Sequence, residues 1–309
     1  MIGVVLARTG STYRVHTDAG EVTAVLRGRL KYRDDDRVVA GDRVELDVRG
    51  DGSAAIVAVL PRKSLLARRA PGERRPRPQP IAANVDQVVV VAAAREPEPN
   101  PRLLDRLLVI AEANRLPGVV VLNKIELDRA ARDRLAERYG PAGYQVLATS
   151  AKQGEGLAAL RDLLRGRVSV LAGPSGVGKS SLVNALHPGL NLRIGAVSER
   201  WGAGRHTTRA AVLVPLAGPG GGYVVDTPGL REAGAWGVDP ELLGACFPEF
   251  RPFLDQCRFH DCRHLAEPGC AVRAAAAAGK FHADRLASYQ RLYEEVSVPF
   301  WSSGRRRAT

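Results

Sequence analysis

The chain has 309 residues, with 45 basic against 33 acidic side chains, a formal net charge of +12 and a pI near 10.1. That length buries at least one large core and suits two or three domains, and the charge points to a polyanionic partner such as nucleic acid. No apolar run approaches the length of a bilayer span and the N-terminus has no basic-then-apolar leader, so neither membrane insertion nor secretion is expected and the default compartment is cytoplasmic.

Residues 1–68 read as β structure. Tyr13 and Val15, then Val22, Ala24 and Leu26, alternate around the turn Thr17-Asp18-Ala19-Gly20; Val44, Leu46 and Val48 follow Gly41-Asp42, and Ile56 to Leu60 follow Gly50-Asp51-Gly52. Short strands with a turn every ten residues or so suggest a small barrel, either a five-stranded OB-type barrel, a common oligonucleotide binder, or an SH3-like one. Residues 61–80 then crowd Arg62, Lys63, Arg68, Arg69, Arg74, Arg75 and Arg77 among prolines against the single acidic Glu73. Such a stretch is not expected to pack a core, and a basic, proline-rich linker over 69–82, free to contact phosphates, is the reading.

From Val85 the pattern becomes strand-then-helix: Val88 to Ala92, an amphipathic Leu103 to Arg115, Val119 to Leu122, a charged helix Asp128 to Tyr139, Tyr144 to Leu147, and a helix Leu157 to Leu164. Near-continuous apolar strands between helices indicate a parallel sheet covered on both faces, assigned to 83–233. Its most telling stretch follows the apolar run Val168 to Ala172. Gly173-Pro174-Ser175-Gly176-Val177-Gly178-Lys179-Ser180, continued by Ser181, is a glycine-rich loop opening a helix, the arrangement whose backbone N–H groups cradle a phosphate chain. Gly173 and Gly178 allow a tight turn and close approach, Lys179 supplies a point charge to the outer phosphates, and the Ser180 hydroxyl is placed for Mg²⁺. Only six lysines occur in the chain, Lys31, Lys63, Lys124, Lys152, Lys179 and Lys280, so arginine serves wherever a generic cation suffices. Three of those lysines fall in nucleotide-binding candidates.

Four further short motifs sit at strand ends. Asn123-Lys124-Ile125-Glu126 follows Val119 to Leu122, and Ser150-Ala151-Lys152 follows the strand ending near Ala148. Downstream of the phosphate loop come Gly204-Arg205-His206-Thr207-Thr208 and Asp226-Thr227-Pro228-Gly229. Together with the phosphate loop they resemble the five signature loops of a GTPase. The resemblance implies that Asn123 and Lys124 pack the base while Ser150, Ala151 and Lys152 meet its carbonyl edge. It further implies Thr208 on Mg²⁺ and the γ-phosphate, Asp226 on Mg²⁺ through water, and the Gly229 N–H toward the γ-phosphate.

The base-reading loops precede the phosphate loop here, so the GTPase domain is circularly permuted, and the segment after Gly229 becomes its exit. Loss of the γ-phosphate is therefore expected to release that segment and reposition whatever lies C-terminal. Two departures stand out. Glu126 occupies the place where such loops carry aspartate for the guanine N–H donors, and Leu230 stands where many GTPases carry a water-orienting glutamine. An apolar side chain cannot hold the attacking water, so slow intrinsic hydrolysis is expected, with His206 the nearest replacement.

In the last region, 234–309, Cys257, Cys262, His264 and Cys270 form a C-x4-C-x-H-x5-C pattern. Three thiolates and one imidazole close a tetrahedral shell, which suits one structural Zn²⁺ with no open position. Cys246 reads as a small buried hydrophobe, and 271–296 as helix interrupted near Gly279. The combination of a barrel, GPSGVGKSSL, GRHTTR, DTPG and this cysteine pattern resembles the RsgA (YjeQ) family of circularly permuted GTPases. That resemblance covers nearly the whole chain. It implies an OB-fold first domain, a GTPase with Mg²⁺–GTP whose turnover rises on the small ribosomal subunit, a late-maturation role near its ribosomal RNA, and a monomer. Two alternatives are an RNA-binding zinc protein whose nucleotide site is structural, and a permuted GTPase of the large subunit.

Overall fold

The computed structural model describes residues 1–28, 38–50, 53–69, 78–187, 211–216, 220–226 and 238–297. Five strands, β1 (Ile2–Thr9), β2 (Thr12–Thr17), β3 (Gly20–Leu26), β4 (Arg43–Val48) and β5 (Ala54–Val59), close into a barrel in the order β1-β2-β3-β5-β4. β3 runs parallel to β5 while the other pairs are antiparallel. This is a five-stranded OB-type barrel. Alternation fails in β1, where Val5, Leu6 and Ala7 are all buried, because a bulge interrupts the register between Val5 and Ala7. The bulge lets neighbouring residues serve two cores: Val5 fills the barrel, and Leu6 packs into the core beneath the central sheet.

The expectation of an unpacked linker fails at its edges. β6 (Leu65–Arg69) pairs antiparallel with β7 (Pro78–Ala83), and Leu66 and Ala82 are fully buried in the central core. Arginine and proline dominate the composition, but one buried leucine and an inward alanine suffice to seat the ribbon. The barrel is fastened to it by Asn84 Nδ2 donating to the Gly41 carbonyl (2.9 Å) and by the buried Asp42, which Arg62 holds at 2.7 Å. Arg74, Arg75 and Arg77 lie outside the described residues.

The central sheet has the order β10-β9-β8-β11-β13-β12, made of β8 (Gln87–Ala93), β9 (Gly118–Asn123), β10 (Gln145–Ala148), β11 (Val168–Ala172), β12 (Val212–Pro215) and β13 (Tyr223–Asp226). All neighbours are parallel except β12 against β13. β8 is buried along its whole length, Val88, Val90 and Ala92 facing one core and Val89, Val91 and Ala93 the other. That is the signature of a strand covered on both faces. The covering helices are α1 (Pro101–Ala113), α2 (Ala131–Tyr139), α3 (Leu157–Leu164) and α4 (Lys179–Leu186). Asn100 caps α1 by accepting from Leu103 N, with Pro101 at its first position.

Beyond the sheet, a 3-10 segment Pro248–Gln256 and the helices α5 (Ala271–Ala277) and α6 (Ala283–Ser297) enclose an aromatic core of Phe247, Phe250, Phe281 and Tyr289, joined by Val109 from α1. The break between α5 and α6 falls where Gly279 takes φ +69°. A buried ion network crosses this junction. Arg285 of α6 donates to Asp105 of α1 (2.7 Å) and to Glu249 (2.5 Å), while Arg138 of α2 reaches the other Asp105 oxygen (2.7 Å) and Asp284 (3.0 Å). Tyr139 adds its hydroxyl to Asp105 at 2.9 Å. None of the described helices is long and apolar enough to cross a membrane.

Candidate functional site

At the C-terminal edge of the sheet, β11 turns through residues 173–178 into α4. Gly173 has φ +145°, and a Cβ there would sit 2.2 Å from the Val91 carbonyl oxygen; at Gly178, φ +90°, it would sit 2.3 Å from Asn123 Nδ2. Only glycine fits either position. Ser175 and Gly176 are exposed, Pro174, Ser180 and Ser181 half-buried, and Val177 is held in the core. Lys179 is 8% exposed and its Nζ donates to the carbonyls of Gly173 (2.8 Å) and Pro174 (2.6 Å), spanning the loop it belongs to. No side chain among the described residues caps α4, so its first N–H groups are placed for an anion.

Two strands away, β9 delivers Asn123, which is buried and placed between loops. Its Nδ2 donates to the Val177 carbonyl (2.9 Å), while its Oδ1 accepts from Ala151 N (3.1 Å) and Thr149 Oγ1 (3.4 Å). One amide thus ties the glycine-rich loop to the Ser150–Lys152 loop. Lys124 adopts a left-handed φ of 60° and its Nζ donates to the Glu96 carbonyl. Glu126 lies in the 3-10 turn Ile125–Leu127, and its Oε2 is buried without a hydrogen-bond partner among the described residues. Ser150 is fully buried, its Oγ accepting from Gln153 N (3.0 Å) and its N–H donating to the Glu155 carbonyl (2.9 Å), which leaves Lys152 exposed at the rim. A buried acceptor with no partner is costly, and beside the loop edge it is the kind of group a ligand's N–H donors would satisfy.

Sequence reasoning missed the loop after β8. Its Glu96 carbonyl holds Lys124, and Pro97 Cδ would lie 3.6 Å from a Cβ on Gly176. The available signal was position alone, a strand end between the strands of the two binding loops. Asp226 ends β13 opposite Leu171 of β11, so its backbone lies beside the glycine-rich loop's own strand. His206, Thr208 and Gly229 lie outside the described residues. Because the left-handed Gly178 also abuts the Asn123 amide, Gly178→Ala is expected to weaken GTP binding about ten- to hundredfold in a fluorescent-nucleotide titration. Unchanged affinity would show that the cradle does not need that approach.

The second cluster is separate. The ligand atoms of Cys257, Cys262, His264 and Cys270 all lie within 4.8 Å of one another. His264 Nδ1 is 3.6 Å from Cys257 Sγ and 3.4 Å from Cys270 Sγ, and those two sulfurs are 4.0 Å apart. Zinc–sulfur bonds of about 2.3 Å give tetrahedral edges near these lengths. Burial lowers the His264 pKa and so keeps a lone pair on the ring; burial also pushes the Cys262 thiol up to about 12. A metal ion must therefore displace protons to bind here. Cys270 Sγ also accepts from Arg273 N (3.5 Å), capping α5. Cys246 stands apart in the aromatic core, its thiol pushed up to about 11 by burial, and His260 is exposed outside the cluster.

Known proteins resemble this chain along most of its length. The profile of the RsgA GTPase family matches residues 59–236. Proteins named small ribosomal subunit biogenesis GTPase RsgA are similar along almost the whole chain. The one from Gemmatimonas aurantiaca is 50% identical over 95% of this chain and 97% of its own, and the one from Moorella thermoacetica 43% identical over 96% and 97%. Among solved structures, YjeQ from Thermotoga maritima superposes with a TM-score of 0.74 at 35% identity, covering 96% of this chain and 98% of that one. YloQ, described as a circularly permuted GTPase, gives 0.71 at 28% identity over 99% and 96%.

Proposed function

Because the chain belongs to the RsgA GTPase family, we propose that this GTP-hydrolysing enzyme acts in ribosome biogenesis on the small ribosomal subunit, turning over slowly alone and faster on that particle. The observation that carries the nucleotide reading is Asn123, whose single amide joins the phosphate loop at Val177 to the base-edge loop at Ala151 although the chain threads these loops in rotated order. Two loops so joined hold one ligand with a phosphate end and a base end.

In this reading Glu126 accepts the guanine N–H donors with the carboxylate oxygen that lacks a partner, and the extra methylene relative to aspartate is taken up by the 3-10 turn that carries it. Asn123 and Lys124 pack the base, and Ser150, Ala151 and Lys152 meet its carbonyl edge. Lys179 exchanges the Gly173 and Pro174 carbonyls for the outer phosphates, a small rearrangement of a side chain already at the loop's centre. Ser180, Asp226 and Thr208 would hold Mg²⁺, which would supply positive charge against the charge that builds on the phosphate oxygens. The Gly229 N–H meets the γ-phosphate, and His206 orients the attacking water in place of the glutamine that Leu230 replaces, so that GTP and water give GDP and phosphate. The Cys257, Cys262, His264 and Cys270 cluster takes one structural Zn²⁺, supported by its three sulfurs and its fully protein-made shell.

The expected sign of guanine selectivity is displacement of bound GTP by GDP and not by ATP. Glu126→Ala should lower GTP affinity at least tenfold by removing a charge-assisted pair, while Glu126→Asp retains selectivity. Equal displacement by ATP would contradict the base assignment.

A further inference from the structure

Between the first two cysteines of the metal cluster the chain makes a tight loop, closed by Cys262 N donating to the Phe259 carbonyl (3.3 Å) and by Arg258 N donating to the Gly269 carbonyl (3.1 Å). Phe259 projects from it 42% exposed. A lone exposed aromatic is ordinary. This one carries the Arg258 guanidinium over its ring, 5.5 Å from the centroid, and makes no ring-to-ring contact among the described residues.

Two more exposed arginines stand around the same turn. Arg273 Nη1 donates to the Glu267 carbonyl at 3.3 Å, and Arg263 N donates to the Glu267 carboxylate at 3.0 Å. That carboxylate is taken up by the backbone N–H groups of Arg263, Leu265 and Ala266 rather than by the guanidinium groups. Arg258, Arg263 and Arg273 therefore make no ion pair among the described residues. Gly269, at φ +72°, keeps the floor clear, since a Cβ there would lie 2.9 Å from Arg258 Cβ.

From this arrangement we propose that Phe259 and Arg258 form a stacking platform for an unpaired nucleobase of RNA, with Arg263 and Arg273 holding the adjoining phosphates. An exposed ring with a guanidinium on one face, beside arginines that make no ion pair among the described residues, matches single-stranded nucleic acid, in which bases are free to stack, and not a duplex, in which they are buried. The metal cluster fixes the loop at both ends, so little order has to be gained on binding. The proposal deepens the ribosomal-particle reading above and rests on it for the identity of the nucleic acid as RNA.

The test uses the full chain loaded with its metal and two probes at one fixed salt concentration: a labelled single-stranded RNA dodecamer of mixed sequence, and the same strand annealed to its complement. Phe259→Ala and Phe259→Leu should each weaken single-strand binding about tenfold, with duplex binding little changed, whereas Phe259→Trp should retain affinity and have its added indole emission quenched by the single strand. Metal content and melting temperature of each variant establish that it is folded. Unchanged single-strand affinity in the folded alanine variant, or equal losses on both probes, would overturn the platform. If the platform passes while small subunits leave GTP turnover unstimulated, the particle reading fails alone; stimulation with unchanged RNA binding by Phe259→Ala sinks the platform alone.

Discussion

Replacing Arg285 with alanine is expected to lower the unfolding free energy by about 3–5 kcal/mol, because it strands the Glu249 carboxylate where water cannot reach and leaves Asp105 with only Arg138 and Tyr139. Arg285 and Asp105 are 0% exposed, and the Glu249 side chain 2%. Burial works against the arginine's charge, but Glu249 and Asp105 outweigh it and hold the guanidinium well above its ordinary pKa. The ring of Phe247 lies 4.6 Å from the same guanidinium carbon, so truncation also empties a packed site. Urea unfolding followed by intrinsic fluorescence measures the loss. In a double-mutant cycle with Asp105→Asn the two changes should be non-additive, since each removes the same Arg285–Asp105 pair. A cost under about 1 kcal/mol would mean that the network is not closed in solution.

The second large effect expected on the proposed zinc reading is that of removing the ion. Cys262→Ser, or a strong chelator, is expected to take the metal content from one ion per chain to none and to unfold residues 243–297, because ion binding is itself folding free energy in so small a core, of order 10 kcal/mol. Hydrogen exchange should show protection lost in α5 and α6 and retained in β8 and β11. Acid should do the same by protonating thiols whose proton affinity burial has raised: metal affinity falls as pH falls, because bound metal has displaced those protons. A metal-free chain with α5 and α6 fully protected would show that the aromatic core suffices without the ion.

Much of the site was legible because its chemistry is local. The run Val168 to Ala172, the loop from Gly173 and the helix from Lys179 to Leu186 come out with the bounds their residues imply, since strand, glycine turn and helix start follow from neighbouring residues. The four cysteine and histidine side chains that the fold brings together were legible for the same reason. What was not legible joins distant residues. Nothing beside Arg285, Asp105 or Glu249 in the sequence marks them as partners, and only the fold brings α6 onto α1. β1 hid behind its bulge, and β6 behind arginines and prolines. The junction also bears on the expected release of the C-terminal region after Gly229. Arg285 and Arg138 weld that region to α1 and α2, so a nucleotide-driven movement has to carry those helices with it or break the network.

The most direct measurement is phosphate release from GTP by the purified chain with Mg²⁺, alone and with small ribosomal subunits, with Lys179→Ala as the blank. The account predicts slow turnover alone, a large rise with small subunits but not with large ones, and a fall of at least about a hundredfold in the variant under both conditions. Turnover that ignores the small subunit, or that survives the loss of Lys179, would contradict it.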